Sequence, residues 1–296
     1  MWSEQTRQLI EAACAEDLGA GDITAALLPG ADAEVAARVV PRETGVICGL
    51  TVGPAVCAAF AARLARPLDF APALAGERAF QDGNAVGRDA CVATLRGPRA
   101  AVLAVERTLL NFLGRMSGVA TLTRRFVEAA RQMNPRVQVL DTRKTIPGWR
   151  ELDKYAVRAG GGHNHRFGLY DAVLIKDNHL AGIPTSRLAA ELTALLKRAH
   201  GKPSFVEVEV DGLEQFDEVC KVAGVDIVLL DNFTPEDMRS AVARRDARGL
   251  RGRLALEASG GVTLATIGAI AATGVERISV GALTHSAVGL DIGLDF

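Results

Sequence analysis

The sequence DTRKTIPG at residues 141–148 is followed by GGGHNHR at residues 160–166 and by LIKDNH at residues 174–179. These short, glycine-broken segments concentrate basic and imidazole side chains, namely Arg143, Lys144, His163, His165, Arg166 and Lys176. They adjoin apolar, strand-like runs, and loops in that position often carry binding sites. A solvated face would instead alternate its charges along a helix. The pattern therefore favours a bound anion over a merely hydrated basic surface.

The composition limits the classes of protein and of partner. The chain has 296 residues, of which 49% are hydrophobic, and a formal net charge of -1. That length accommodates one large or two ordinary domains with a buried core. Because the charges nearly balance, the chain has no broad electrostatic footprint for nucleic acid or for a membrane surface. We expect neither as a partner, and any anion to be held locally.

Cysteine usage and the first residues bear on the cellular compartment. The cysteines are scattered in Ala- and Val-rich surroundings, without a Cys-x-x-Cys pair, at Cys14, Cys48, Cys57, Cys91 and Cys220. Such thiols are typical of a reduced, cytosolic protein. The start lacks the order of a signal peptide, and no run of about 18 uninterrupted apolar residues follows. We therefore expect a soluble cytoplasmic protein.

The first part of the chain mixes strands and helices, as an α+β domain does. The predicted elements are a helix at 4–16, a hairpin over 33–49, a helix at 53–64, strands near 79–80 and 90–95, and helical segments over 99–133. The last region is predicted as two helices that part near Ser117 and Gly118. Residues 16–24 are interpreted as a helix exit followed by an Asp or Thr cap.

After Met133 short apolar runs alternate with amphipathic ones. The predicted strands are 137–140, 172–175, 205–210, 226–230, 254–257 and 277–280, and the predicted helices are 149–158, 185–199, 214–222, 235–245 and 264–272. This alternation indicates a parallel sheet covered by helices. Polar or glycine-rich residues follow every strand, which favours a barrel related to the (β/α)8 fold over an open doubly wound sheet.

Acidic residues end two of the predicted strands. Glu209 and Asp231 should face the same mouth of the barrel, meaning the edge where the carboxyl ends of the strands converge. Two carboxylates there suit Mg²⁺, or they accept hydrogen bonds from ribose hydroxyls. Glu207 lies deeper on the same strand and is interpreted as a satisfied interior residue. His163 and His165 are too few for a zinc site without a nearby cysteine.

Glycines follow the last two predicted strands. Ser259, Gly260 and Gly261 are predicted to open a helix, whose free N–H groups would bind an anion. Gly281 and Ala282 follow the final strand, and loops after the last two strands of a barrel commonly bind phosphate. The alternative is that these glycines serve tight turns only.

The sequence pattern allows more than one interpretation of Arg107 and of the anion site. Arg107 lies beside an apolar helical stripe, where pairing with Glu106 and a functional role are equally compatible with the pattern. The cationic part suits a small polycarboxylate or a pyrophosphate. An aromatic acid and a phosphorylated sugar together would use the cationic, acidic and phosphate-binding parts. A sugar-phosphate sensor would need neither the cations nor the acids. An aldolase would require Lys144 or Lys176 in an apolar slot, as a Schiff-base lysine.

Motifs along nearly the whole chain resemble the nicotinate-nucleotide pyrophosphorylase family, also called quinolinate phosphoribosyltransferases. The matching blocks are 106–113, 141–148, 154–158, 160–166, 174–178, 206–210, 229–233, 257–262 and 279–286. A molybdenum-linked relative shares the Thr-Arg-Lys-Thr stretch but lacks the Gly-Gly-His-Asn-His-Arg block, so the block favours the pyrophosphorylases. One departure is Ile146, where the family pattern has Thr.

The resemblance implies a reaction and an architecture. Quinolinate and 5-phosphoribosyl 1-pyrophosphate would give nicotinate mononucleotide, pyrophosphate and CO2 for NAD synthesis, with Mg²⁺ bound alongside the pyrophosphate. The implied fold is an N-terminal α/β sandwich over 1–115, to which the tail 286–296 is a candidate addition, and an incomplete TIM-like barrel over 116–285. The protein would be a homodimer or larger homo-oligomer, with Arg107 reaching into the neighbouring subunit's site.

The resemblance also implies roles for individual residues. Quinolinate and the phosphoribosyl phosphates would be bound by Arg143, Lys144, His165, Arg166 and Lys176. Glu209 and Asp231 would lie near the ribose and Mg²⁺. The 5-phosphate would be bound by Ser259, Gly260, Gly261 and Gly281, with Ala282 beside them. Catalysis is expected from Lys144, Lys176, Glu209 and Asp231.

Overall fold

The computed structural model describes residues 2–198 and 203–296. The chain forms two compact units. One comprises Met1–Arg124, Thr145–Gly161 and Leu283–Phe296, and the other comprises Arg125–Lys144 and Gly162–Ala282. Within the described ranges, no helix combines the length and apolar character needed to cross a bilayer.

The helices and strands alternate differently in the two halves of the chain. In order they are α1 Glu4–Leu18, β1 Glu34–Pro41, β2 Gly45–Val46, α2 Gly53–Leu64, β3 Asp69–Pro72, β4 Leu74–Ala75, β5 Arg78–Ala79, β6 Ala85–Val86, β7 Ala93–Pro98 and α3 Arg99–Met133. They continue as β8 Gln138–Leu140, α4 Arg150–Ala159, β9 Val173–Ile175, α5 Thr185–Leu196, β10 Val206–Val210, α6 Leu213–Val219, β11 Ile227–Asp231, α7 Pro235–Ala247, β12 Ala255–Ser259, α8 Ile267–Ala271, β13 Arg277–Ser279, α9 Ala282–His285 and β14 Ile292–Asp295. Short 3₁₀ turns cover Ala25–Leu27 and Asp177–His179.

The first unit contains a four-stranded antiparallel sheet in the order β14-β1-β7-β3. β1 pairs with β7 along one edge and with β14, from the far end of the chain, along the other. The predicted hairpin over 33–49 is therefore wrong, because neither edge of β1 is left for β2. β2 pairs with β6 instead, as a separate two-stranded ribbon.

The helix α3 runs unbroken through the predicted break at Ser117 and Gly118. The Ser117 hydroxyl donates to the backbone oxygen of Cys48 at 3.1 Å and accepts from its N–H at 2.9 Å. Gly118 lies so close to the backbone oxygen of Val288 that a Cβ would overlap it. The predicted break is wrong because these small residues allow close packing against α3 and do not interrupt it.

The interpretation of residues 16–24 as a helix exit and cap is confirmed. α1 ends at Leu18, and the Asp22 carboxylate then accepts the backbone N–H groups of Thr24 and Ala25 at 2.9 and 3.0 Å. This capping arrangement at a 3₁₀ turn satisfies donors that would otherwise lack partners.

The second unit is built on a six-stranded parallel sheet in the order β8-β13-β12-β11-β10-β9. Helices alternate with these strands, as the apolar runs predicted. A further parallel bridge between Leu140 and His163 extends the sheet beyond β8. The helix predicted over 185–199 is α5, which ends at Leu196, and Ala199 lies outside the described residues.

The parallel sheet is strongly curved. His165, in the segment beside β8, lies 2.9 Å from Glu207 on β10, although three strands separate β8 from β10 in the sheet order. At a spacing of about 4.8 Å per strand, a flat sheet would keep these residues about 20 Å apart. The sheet therefore curls into an incomplete barrel, and the predicted fold class is confirmed.

We expect Gly118→Ala to lower the free energy of unfolding by about 1–3 kcal/mol, because the added methyl would overlap the Val288 oxygen. Helix propensity alone predicts a gain of about 1 kcal/mol, the opposite sign. Gly268 in α8 is the control, since a methyl there would make only ordinary contacts. Urea unfolding followed by circular dichroism compares G118A with G268A, and a G118A variant as stable as the wild type would contradict the packing role.

Candidate active site

Asp141 ties two of the basic loop segments together at the end of β8. It is fully buried, and its carboxylate accepts the backbone N–H of His165 at 2.9 Å and the side-chain amide of Asn164 at 2.5 Å. Segment 160–166 is therefore anchored to the strand end that precedes Arg143. The sequence predicted this proximity, and the buried carboxylate explains it.

Arg143 and Arg166 lie near enough for their charges to interact, and each has an unfilled donor. Arg166 is only 8% exposed. Burial and the charge of Arg143 lower the pKa of Arg166. The Nε atoms of both arginines are buried and have no acceptor among the described residues. Guanidinium groups that repel each other and retain free donors favour an anion between them, ideally a carboxylate or phosphate that accepts in a bidentate manner.

The other predicted cations are placed less uniformly. Lys144 is exposed beside Arg143. His163 contributes little positive charge at neutral pH, because burial and the charge of Arg131 lower its pKa. Lys176, at the end of β9, contacts the acidic residues: its Nζ lies 2.8 Å from Oε2 of Glu209. Lys176 therefore links the cationic and acidic parts that the sequence presented as separate.

The acidic residues crowd the ends of β10 and β11. Burial, then the charges of Glu209 and Asp211, raise the pKa of Asp231. The Asn232 amide donates to the Asp231 carboxylate at 2.8 Å and holds it in place. Carboxylates that raise one another's pKa are stabilised by a nearby cation. The residues present therefore fit Mg²⁺, which prefers oxygen ligands.

Asn232, directly after β11, shapes the glycine loop that follows β12. Asn232 has a left-handed backbone with φ 55°, and its N–H donates to the Ser259 oxygen at 3.0 Å. Gly260 has φ 95° and packs so tightly on the Asn232 side chain that a Cβ would collide with it. Only glycine suits that position, because both the backbone conformation and the space exclude a side chain.

The predicted helix start at this loop is wrong. α8 begins only at Ile267, after a turn in which the Thr266 hydroxyl accepts the N–H of Thr263 at 2.9 Å. Any anion bound by Ser259 to Gly261 would thus meet loop N–H groups and not a helix terminus. Gly281 and Ala282 follow β13 as predicted, and Ala282 begins α9.

Four charged groups meet inside the curved sheet, and we call them the buried quartet: His165, Glu207, Glu257 and Arg277. His165 Nε2 lies 2.9 Å from Glu207 and 3.4 Å from Glu257, and Arg277 Nε donates to Glu257 at 2.6 Å. Three of these side chains, His165 and the two glutamates, have ligand atoms within 4.8 Å of one another, as in a metal site. Here Arg277 and His165 already face the carboxylates.

Arg107 lies on α3 in the first unit with its side chain exposed. It is thus accessible for the contact with a second subunit that the resemblance implies.

The family models match nearly the whole chain. "Quinolinate phosphoribosyl transferase, N-terminal domain" matches residues 22–117, and "Quinolinate phosphoribosyl transferase, C-terminal domain" matches residues 119–295. The chain belongs to the quinolinate phosphoribosyl transferase family.

Members of this family with similar sequences come from distant organisms. The nicotinate-nucleotide pyrophosphorylase [carboxylating] of Mycobacterium leprae is 41% identical over 296 residues, covering 99% of this chain and 97% of the relative. Quinolinate phosphoribosyltransferase [decarboxylating] 1b of Nicotiana tabacum is 34% identical, with coverage of 97% and 81%. The solved nicotinate-nucleotide pyrophosphorylase of Francisella tularensis is 37% identical and superposes with a TM-score of 0.83, covering 100% of this chain and 97% of that one.

Within this quinolinate phosphoribosyl transferase fold, several contributors to the site escaped the sequence analysis. Asn232 orients Asp231 and shapes the glycine loop, and Glu257 and Arg277 complete the buried quartet. An Asn directly after a strand-end Asp is a weak signal, because Asn tolerates left-handed backbone. Glu257 and Arg277 gave no separate signal, since their contact depends on the register of β12 against β13.

We expect quinolinate to bind in the absence of any second substrate, because its adjacent carboxylates would relieve the repulsion between Arg143 and Arg166. Arg166→Gln should weaken binding at least about tenfold, as expected when a charged hydrogen-bonding group is lost. Arg239→Gln is the matched control, because Arg239 is exposed and, among the described residues, forms its ion pair with Glu236 on its own helix. Calorimetric titration measures both, and equal affinities of R166Q and R239Q would contradict the assignment.

Proposed function

We propose that the chain transfers the phosphoribosyl group of 5-phosphoribosyl 1-pyrophosphate to quinolinate, with decarboxylation, in the cytoplasmic synthesis of NAD. The products are nicotinate mononucleotide, pyrophosphate and CO2. The observation that carries the proposal is the Arg143–Arg166 pair with its unfilled donors. Quinolinate has two adjacent carboxylates that match such a pair. The printed names of the relatives, pyrophosphorylase and phosphoribosyltransferase, support the same reaction.

The chemistry requires positioning and charge stabilisation and no protein nucleophile. The quinolinate ring nitrogen attacks the anomeric carbon of the ribose while the bond to pyrophosphate breaks. When CO2 leaves, its bonding electron pair stays on the adjacent ring carbon, where the positive pyridinium nitrogen stabilises it, and a proton then binds to that carbon. Arg143 and Arg166 hold the dicarboxylate, Lys144 adds donors beside it, and His165 supports the Arg166 backbone through Nδ1. Fixed charges of this kind lower the barrier because they need no reorganisation during the reaction.

The acidic side of the mouth would face the ribose and the metal. Glu209 and Asp231 would hold Mg²⁺, directly or through water, and accept hydrogen bonds from the ribose hydroxyls. When bound, Mg²⁺ neutralises charge on the departing pyrophosphate. Lys176, already in contact with Glu209, would be placed between the two substrates. The raised pKa of Asp231 supports this arrangement, since a cation offsets the crowding that raises it.

The loops after the last two strands would bind the 5-phosphate. Ser259, Gly260 and Gly261 form a turn in which both glycines have left-handed φ, and such turns direct successive N–H groups to one point. Gly281 and Ala282, after the neighbouring strand, would supply further N–H groups. Asn232, whose side chain packs on Gly260, would keep this loop in register with Asp231.

Two other functions suit these residues less well. A Schiff-base aldolase would need a lysine against an apolar wall, whereas the Lys176 ammonium contacts the Glu209 carboxylate. A sugar-phosphate sensor gives no reason for two guanidinium groups to be held together at an energetic cost.

We expect incubation with quinolinate, phosphoribosyl pyrophosphate and Mg²⁺ to give CO2 and nicotinate mononucleotide in equal amounts, because each transfer is followed by one decarboxylation. Omission of Mg²⁺ should lower the rate at least about tenfold, as the pyrophosphate charge is then uncompensated. Labelled CO2 and chromatography of the nucleotide measure the two products. Absence of both products would contradict the proposed function.

We also propose that the enzyme is a homodimer in which Arg107 completes the partner's site. Arg107→Ala and Arg166→Ala should each be nearly inactive alone. Mixing the two after dissociation should restore about one quarter of wild-type activity, because half of the dimers are mixed and each of these has one intact site. Activity after mixing, with the two variants distinguished by affinity tags, tests this. No recovery in verified mixed dimers would place Arg107 in its own subunit's site or outside any site.

A further inference from the structure

Glu207 is buried to an unusual degree for an ionisable residue. It lies on β10 with 0% of its surface exposed. Its one polar neighbour among the described residues is the His165 ring, whose Nε2 lies 2.9 Å from Oε2. The sequence analysis expected a satisfied interior residue. Glu207 is interior, but it depends on a single neighbour.

The His165 ring is also held by contacts with the Arg166 backbone and with Phe205. His165 Nδ1 accepts the backbone N–H of Arg166 at 2.7 Å, so Nδ1 presents a lone pair. The ring proton then lies on Nε2 and points towards the glutamates of the quartet. Phe205 packs edge-on to the imidazole, with ring centroids 5.4 Å apart. The orientation of the imidazole and the path of the Arg166 backbone are therefore set together.

Burial makes Glu207 and His165 dependent on each other. A buried carboxylate is costly when no donor faces it. The group that faces the Glu207 carboxylate is His165 Nε2, at 2.9 Å. Burial by itself would lower the pKa of His165, but the two glutamates outweigh it and raise that pKa to about 9. The Arg166 N–H that points at Nδ1 opposes a proton there, so the neutral ring carries its proton on Nε2.

Arg277 is also a cation of the quartet, but it contacts Glu257 and Phe205. Its Nε donates to Glu257 at 2.6 Å, and its guanidinium lies 5.7 Å from the centre of the Phe205 ring. Glu257 therefore has a donor of its own, although its Oε1 is also unfilled. Of the two glutamates, Glu207 is the one that relies on His165.

We infer that Glu207 is a positioning residue of the active site. It holds His165 through Nε2, so that Nδ1 receives the Arg166 N–H and the Arg166 side chain is held in its buried position. Glu207 would not touch substrate; it would act through His165 and Arg166. The inference rests on the proposed function in assigning Arg166 to quinolinate.

The test compares two substitutions of nearly equal volume. Glu207→Gln keeps an oxygen that accepts from Nε2, whereas Glu207→Met removes every acceptor. We expect E207M to raise the dissociation constant for quinolinate at least about tenfold, and E207Q to stay within about threefold of wild type. Affinity for phosphoribosyl pyrophosphate should change less than about threefold in both. Calorimetric titration with each substrate measures this split.

The control is Asp217→Asn, which disturbs another ion pair of the same unit. Asp217 on α6 accepts from Arg244 on α7 at 2.6 Å, and neither residue adjoins a member of the quartet in the chain. D217N should lower stability without altering quinolinate affinity. If E207M weakens both substrates equally, in proportion to its loss of stability, Glu207 is only structural and the inference fails.

A spectroscopic measurement tests the same idea without activity. Side-chain ¹⁵N NMR distinguishes protonated from unprotonated ring nitrogens, and the His165 signals are assigned by their loss in His165→Gln. The tautomer is read above the His165 pKa of about 9, where the ring is neutral. There we expect the proton on Nε2 in the wild type and in E207Q, with a mixture of tautomers in E207M. A neutral wild-type ring that is protonated on Nδ1 would overturn the inference, even if E207M fails to fold.

Two further results would be decisive. A metal ion that co-purifies in stoichiometric amount with the wild type, and is lost in E207M, would make Glu207 a ligand and overturn the inference. Absence of quinolinate binding by the wild type would instead contradict the proposed function, and the NMR measurement would still decide how His165 is held.

Discussion

The contact between His165 and Glu207 holds the curved sheet and the basic loop in one arrangement. His165 lies beside β8 and Glu207 lies on β10, so their approach requires the sheet to curl. Asp141 fixes the same loop from the end of β8 by accepting the His165 N–H. With both contacts in place, Arg166 is buried on the side where Arg143 follows its strand. Two carboxylates buried in the fold thus determine where two cations of the site lie.

The site is a set of like charges held close together. Burial and Arg143 lower the pKa of Arg166, and burial with Glu209 and Asp211 raises that of Asp231. Each cluster is destabilised by itself and is relieved by an opposite charge. Lys176 contacts Glu209 at 2.8 Å and brings one positive charge into the acidic cluster. Binding of anions by the arginines and of a cation by the carboxylates would therefore offset part of the repulsion between the like charges of each cluster.

Most elements were predictable because local pattern and tertiary fold agree. The parallel strands appear as apolar runs since helices cover the sheet, and their polar ends mark the mouth. The hairpin over 33–49 was wrong because β1 pairs with the distant strands β7 and β14. Two other errors occurred where small residues could either break a helix or allow close packing. Ser117 and Gly118 suggested a break in α3, yet they serve close packing. The glycines after β12 suggested a helix start, yet they accommodate Asn232 in a loop.

The sequence by itself determined the order of strands and helices, the basic loops and the acids at the strand ends, because these follow from periodicity and from residue type. The family resemblance also rests on those residues. Only the tertiary structure decided that β14 pairs with β1, that Lys176 contacts Glu209, and that His165 meets Glu207. These contacts join residues distant in the chain, and they depend on strand register and sheet curvature, which no local pattern encodes.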